Sequence, residues 1–168
     1  MNELKFEGEY LGGYKKKGRE YINGKLEYEA EYLKGMKSNG KGYDENGCII
    51  YVLNNGSGKI KLYDLYDNKL KFEGEYLNGE KNGKGKEYNW NGIFEGEYLN
   101  GERNGKGKEY YTTNKLKFEG EYLNGERNGK GKEFNFDDKL KFEGEFLNGE
   151  RNGKGKEYFD NGNLKFEG

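Results

Sequence analysis

The chain contains no proline, no histidine and a single cysteine in 168 residues. Without an imidazole there is no histidine general base, no Ser-His-Asp triad and no histidine metal site. Cys48 alone can close no internal disulfide and build no thiolate zinc site. As a nucleophile it would lack its usual base, so the expectation is a half-buried strand cysteine. The missing proline removes the residue that most often interrupts a sheet ladder. No apolar run approaches the ~20 residues of a transmembrane helix, and the N-terminal "MNELKFEGEY" has no signal-peptide pattern. A soluble, cytoplasmic chain is expected. Nor is there charge of one sign: 30 Lys and Arg stand against 31 Asp and Glu, for a net charge of −1. That balance offers no electrostatic reason for nucleic acid as a partner.

What the chain has is glycine (30), tyrosine (16) and phenylalanine (10). A mean hydropathy of −1.30 with 36% charged residues resembles a disordered composition. The aromatics oppose that reading, because they recur at fixed intervals. Aligned on its opening aromatic, the repeat starts at Phe6, Tyr28, Tyr51, Phe72, Phe94, Phe118, Phe142 and Phe166, at intervals of 21 to 24 residues. The string "FEGEYLNGERNGKGKE" occurs at 94–109 and again, unchanged, at 118–133. We therefore expect one array over 1–168, with worn units in 1–71 and near-identical units in 72–165. The closing "KFEG" opens an eighth unit, either as a cap or because the array continues in a longer parent chain.

The alternation within each unit suits strands rather than helices. In "KFEGEYL", Phe72, Gly74 and Tyr76 share one face, and Glu73, Glu75 and Leu77 the other. The segment "NGEKNG" (78–83) is expected to be a turn, and "GKGKEY" (83–88) the returning strand, with Gly83 and Gly85 on the ring face and lysines beside the acids. The glycines would then be seats for rings. The same set recurs as Phe94, Gly96, Tyr98, Gly105 and Gly107, as Phe118, Gly120, Tyr122, Gly129 and Gly131, and as Phe142, Gly144, Phe146, Gly153 and Gly155. Second turns such as Asn91-Gly92 and Asn161-Gly162 would link the hairpins. The expected fold is all-β: an elongated, twisted, single-layer antiparallel meander of hairpins, each stable only beside its copies. Ala30 and Leu53 replace the ring-seat glycine in the second and third units, where seating is in doubt.

These residues resemble the MORN family (membrane occupation and recognition nexus), whose unit reads Tyr-x-Gly-x-Trp-x-x-Gly followed by Gly-x-Gly. "FEGEYLNGERNGKGKEY" matches it, with Phe or Tyr where Trp is common, and "DNGNLKFEG" (160–168) is similar to the variant repeats of bacterial antitoxin-like proteins. The resemblance implies a non-enzymatic scaffold that makes protein contacts, self-association included, without a cofactor or metal. Two alternatives follow from it: a peripheral module for anionic phospholipid, and an antitoxin-like protein that captures a toxin.

Other chemistry finds little support. Every carboxylate pair has a lysine pair nearby, as expected for a salt-bridge ladder and not for a glycosidase cleft. "NGSGKI" (55–60) fails the phosphate-loop pattern at Leu53 and Ile60 and reads as a turn. Lys15, Lys16, Lys17 and Arg19, placed on a hairpin tip, are the candidate contact for an anionic surface. Trp90, Tyr111, Phe136 and Phe159 occupy equivalent inter-hairpin positions and are the candidate partner-binding residues, the other reading being packing between neighbouring hairpins.

Overall fold

The computed structural model describes residues 4–64 and 69–168, and among these there is no helix. The strands are β1 (Leu4–Leu11), β2 (Tyr14–Ile22), β3 (Lys25–Leu33), β4 (Met36–Tyr43), β5 (Ile49–Leu53), β6 (Gly58–Tyr63), β7 (Leu70–Leu77) and β8 (Glu80–Asn89). They continue as β9 (Gly92–Leu99), β10 (Glu102–Tyr110), β11 (Leu116–Leu123), β12 (Glu126–Phe134), β13 (Leu140–Leu147), β14 (Glu150–Tyr158) and β15 (Leu164–Glu167). Hydrogen-bonded neighbours are consecutive in sequence, so there is no crossover. The chain divides into two compact units, Met1–Gly83 and Lys84–Gly168, and the boundary falls within β8. The all-β antiparallel meander of hairpins is the observed fold.

In the second unit β9 to β15 pair in order. The hairpin tip Asn100-Gly101 has φ of 50° and 88°, the two positive values of a type I′ turn, whose twist matches the flanking strands. The strand therefore resumes at Glu102, earlier than the sequence suggests. The second Asn-Gly of each unit lies inside the returning strand and is no part of the turn. Arg103 faces Tyr98 and Gly107 faces Gly96, so Asn104, Gly105 and Lys106 share the single opposite residue Glu97. This bulge requires φ +95° at Gly105, and a Cβ there would strike the Glu97 carboxylate. Gly83, Gly129 and Gly153 have the same relation to Glu75, Glu121 and Glu145. These four glycines were expected under rings; the extra residues of the bulge place them against a carboxylate instead.

Gly96, Gly107, Gly120, Gly131, Gly144 and Gly155 are seats. A Cβ on Gly96 or Gly107 would lie 2.6 Å from the Phe94 ring, and one on Gly120 or Gly131 would strike Phe118 in the same way. Phe94 and Phe118 are fully buried as a result. Each ring is held edge-on by two others: Phe94 by Tyr98 at 5.6 Å and by Tyr122 of the next hairpin at 5.0 Å, and Phe118 by Tyr122 at 5.7 Å and Phe146 at 5.1 Å. Such contacts contribute about 0.5–1.5 kcal/mol each beyond burial. Gly107 faces Gly96 on one side and Gly120 on the other, so bare backbone runs across the strands beneath the rings. On the opposite face Lys108 and Glu119, and Lys132 and Glu143, pair across hairpins at 3.5 and 3.7 Å, which is the expected ladder.

In the first unit β1 to β5 form one sheet, and β6 pairs with β7 in another. Ala30 is accommodated because both residues facing it, Gly18 and Gly40, are glycines. Leu53 has a larger effect. Its side chain is buried where other units leave a bare seat, and β5 and β6, which should form the third hairpin, form no ladder beyond the bridge Asn54–Ser57. Tyr51, Leu53 and Ile60 are all buried here. Asn55-Gly56 is a turn, with positive φ at both residues. Cys48 is exposed in the loop before β5, where its amide donates to Asp44, and is not the half-buried strand residue expected.

Candidate binding surface

The ring face carries charges as well as aromatics. Nine residues after its opening aromatic each regular unit has a cation, and the hairpin register returns that cation over the ring. Arg103 lies 4.2 Å from the Phe94 centroid, Arg127 4.1 Å from Phe118 and Arg151 4.4 Å from Phe142. In the first unit Lys15 covers Phe6 at 4.8 Å, Lys37 covers Tyr28 at 4.0 Å and Lys81 covers Phe72 at 4.6 Å. At the equivalent position of the third repeat stands Ile60, which is buried. A cation over a ring contributes about 0.5–2 kcal/mol, toward the upper end where water is excluded.

Acids join these cations into a chain. Arg127 donates to Glu109 at 2.9 and 2.7 Å and to Glu133 at 2.7 Å, while Arg151 donates to Glu133 at 2.7 Å. Arg103 donates to Glu87 at 2.8 Å, and the Tyr122 hydroxyl to Glu109 at 2.7 Å. Burial alone would raise the Glu109 carboxyl; hydrogen bonds from Arg127 and Tyr122 and the charges of Arg127 and Lys117 bring it down to about 2. Burial pushes the Tyr98 and Tyr122 hydroxyls well above their ordinary range, with Glu87 and Glu109 adding to the effect. In the first unit Glu20 is buried between Lys15 at 2.6 Å and Lys37 at 3.1 Å; burial opposes its ionisation and the two lysines prevail, lowering its pKa. The sequence signal for this network was the fixed offset of Arg103, Arg127 and Arg151 from their rings, within a segment read as a turn. In the second unit the acids of this face are tied to cations; in the first, Glu27 makes no ion pair among the described residues, and burial raises its carboxyl, with Glu20 adding to the effect and Lys37 opposing it.

In the units that open at Phe94, Phe118 and Phe142 the second acid serves the backbone. Glu97 accepts from the Lys106 amide at 2.9 Å and Glu121 from the Lys130 amide at 3.1 Å, so the bulge is closed by a carboxylate. The sequence placed these acids only beside lysines.

Lys15, Lys16, Lys17 and Arg19 lie in β2, not on a hairpin tip, because the turn is Gly12-Gly13. Each has a carboxylate: Lys15 with Glu20, Lys16 with Glu9 at 3.0 Å, Lys17 with Glu31 at 3.7 Å and Arg19 with Glu29 at 2.7 Å. The cluster is thus largely neutralised within the sheet.

The aromatics between hairpins fall on successive turns at one edge of the second unit. Trp90, between β8 and β9, is 87% exposed. Tyr111 and Phe136 stack at 3.9 Å between centroids, and the Tyr111 hydroxyl donates to the Phe134 carbonyl at 3.0 Å. Phe136 remains mostly exposed on its outer side, and Phe159 is about half exposed. Between them Lys115 pairs with Asp138 at 3.5 Å and Lys141 with Asp160 at 3.1 Å. Of the four candidates, the fold brings two together and leaves Trp90 and Phe159 outside any ring pair among the described residues. No helix of the described residues is long and apolar enough to cross a membrane, and no cluster of three or more Cys, Asp or Glu among them would hold a metal ion.

Comparison with curated proteins gives no significant match. The MORN repeat family, by contrast, matches at residues 72–92, 94–115, 118–134 and 142–164. Each matched segment begins at, and contains, one of the rings Phe72, Phe94, Phe118 and Phe142 that a cation covers. The chain belongs to the MORN-repeat family and carries four of its repeats across residues 72–164.

Proposed function

We propose that the chain is a non-enzymatic scaffold that captures a protein partner along the edge formed by Trp90, the Tyr111–Phe136 stack and Phe159. The observation that carries this reading is Trp90, the only tryptophan of the chain, held almost fully in solvent on a two-residue turn. Exposed aromatics of this kind are the usual anchors of protein interfaces, since they bury large area at low entropic cost. Membership in a family of repeat modules supports binding rather than catalysis. The ion pairs around Lys15–Arg19 speak against that stretch as a lipid site.

The test uses the chain as bait in native lysate beside a Trp90→Ala/Phe136→Ala/Phe159→Ala variant, with quantitative mass spectrometry. A protein recovered by the parent and lost from the variant is the expected result. Equal recovery by both overturns the assignment of the edge. Salt-sensitive pelleting with anionic liposomes, unchanged by the three substitutions, would favour a lipid-surface module instead.

A further inference from the structure

The hairpin tips come in two chemical kinds. In the near-identical repeats the leucine that ends the first strand faces a glutamate that opens the second: Leu99 faces Glu102, Leu123 faces Glu126 and Leu147 faces Glu150. The first two hairpins break this rule. Leu11 faces Tyr14, and Leu33 faces Met36, at positions where the other regular repeats have Glu80, Glu102, Glu126 and Glu150.

This exchange changes the surface. Leu11 and Leu33 are 70% and 65% exposed, against 48–49% for Leu99, Leu123 and Leu147. Tyr10 and Tyr14 are exposed too, and a Cβ on Gly35 would lie 3.2 Å from the Tyr14 ring, so Tyr14 reaches across to the second tip. Leu11, Tyr14, Leu33 and Met36 thus form one apolar strip over two adjacent tips. Segments 10–17 and 32–37 hold five lysines and no acid. Glu9, Glu20 and Glu31 pair with four of the lysines, and Lys34 makes no ion pair among the described residues. The strip is apolar with a positive surplus.

We propose that this strip binds the acidic hairpin tips of a second copy of the chain. Those tips present an exposed leucine beside an exposed glutamate, and Glu102, Glu126 and Glu150 make no ion pair among the described residues. Leucine meets the apolar strip while glutamate meets Lys34, the lysine of the strip that has no carboxylate of its own among the described residues. Both surfaces repeat once per hairpin, about 9.6 Å for two strands, so two adjacent tips of one copy match two of the other in register. Strip against strip would set the positive surpluses together, and acidic tip against acidic tip would do the same with carboxylates. The favoured contact is therefore between unlike faces, strip of one copy against acidic tips of the other.

Two variants test the proposal. Tyr14→Glu/Met36→Glu installs the residue other repeats carry at that position, so the fold is retained while the strip is lost. Leu99→Gln/Leu123→Gln/Leu147→Gln changes only exposed positions and removes the acidic tips' apolar anchor. In sedimentation velocity the parent chain should show a weight-average mass that rises with concentration above that of one chain. Each variant alone should stay monomeric, and their equimolar mixture should form a two-chain complex, because the intact tips of one fit the intact strip of the other. A parent chain that is monomeric at every concentration overturns the proposal, as does a Tyr14→Glu/Met36→Glu chain that associates like the parent. Two monomeric variants that fail to complement overturn it as well. All three results leave the aromatic-edge reading untouched, since that surface is read out by partner capture.

Discussion

Gly107→Ala is the substitution that weighs most on the packing described above. Gly107 has an ordinary extended backbone, so alanine brings no φ strain there; the whole cost is steric. Its Cβ would sit 2.6 Å from two atoms of the Phe94 ring and 3.0 Å from Tyr122, with glycine backbone on both neighbouring strands. Phe94 has nowhere to move, since Arg103 covers it at 4.2 Å and Tyr98 and Tyr122 hold its edges. Overpacking of this kind costs about 1–3 kcal/mol. At about 2–4 °C per kcal/mol for a chain of this size, the melting temperature should fall by roughly 2–12 °C. A double-mutant cycle with Phe94→Leu isolates the cause. A smaller side chain over Gly107 relieves the clash, so the paired substitution should cost at least about 1 kcal/mol less than the sum of the singles. Urea denaturation followed by far-UV circular dichroism reads all four corners. Additivity to within about 0.3–0.5 kcal/mol would refute the seat, as would an unchanged melting temperature for Gly107→Ala.

Acid should act through Glu109. Its folded pKa is depressed from 4.5 to about 2, so its contribution of about 3 kcal/mol is complete above pH 4.5 and is lost as pH falls toward 2. The Glu109→Gln variant should lose less stability across that window, measured as melting temperature against pH. Arg127→Ala leaves Glu109 with only the Tyr122 hydroxyl and Lys117, and Glu133 with Arg151, and it uncovers Phe118; it should cost about 3 kcal/mol, whereas Arg127→Lys, which copies Lys81 at the equivalent position, should cost clearly less in the same denaturation assay. Glu97→Ala removes the acceptor of the Lys106 amide, so that amide should exchange with deuterium faster while the Lys130 amide, held by Glu121, is unchanged. Trp90→Ala should leave stability within about 0.5 kcal/mol, in keeping with its exposure, whatever it does to partner capture.

The hairpin meander, the ring seats and the lysine–glutamate ladder were legible because they depend on alternation, and alternation is written in "FEGEY" and "GKGKE". The bulge was not. "NGER" and "RNGK" contain the same Asn-Gly dipeptide, and only the length of the opposing strand decides that Asn100-Gly101 turns while Asn104-Gly105 bulges. That difference moved Gly105 off the ring face and gave Glu97 a backbone partner. The bulge also sets the phase that returns Arg103 to the ring face, and so the cation network was hidden even though its nine-residue offset is constant. At Leu53 the sequence raised the doubt, and the register shows the consequence: an isobutyl group in a seat made for bare backbone, beside a hairpin that does not close. Among the candidate contact residues, exposure of Trp90 and stacking of Tyr111 on Phe136 depend on turn lengths that differ between repeats, which residue spacing alone does not convey.

The most direct test of the central claim, one ring seated on paired glycines and capped by an arginine in the repeats that open at Phe94, Phe118 and Phe142, is the proton NMR of the glycines. With Phe94 and Phe118 lying over them, the Hα protons of Gly96, Gly107, Gly120 and Gly131 should be shifted upfield by ring current. They should also show nuclear Overhauser contacts to those ring protons, while Gly105 and Gly129 show neither. Unshifted Hα resonances at the four seat glycines, or equal shifts at the two bulge glycines, would contradict the account.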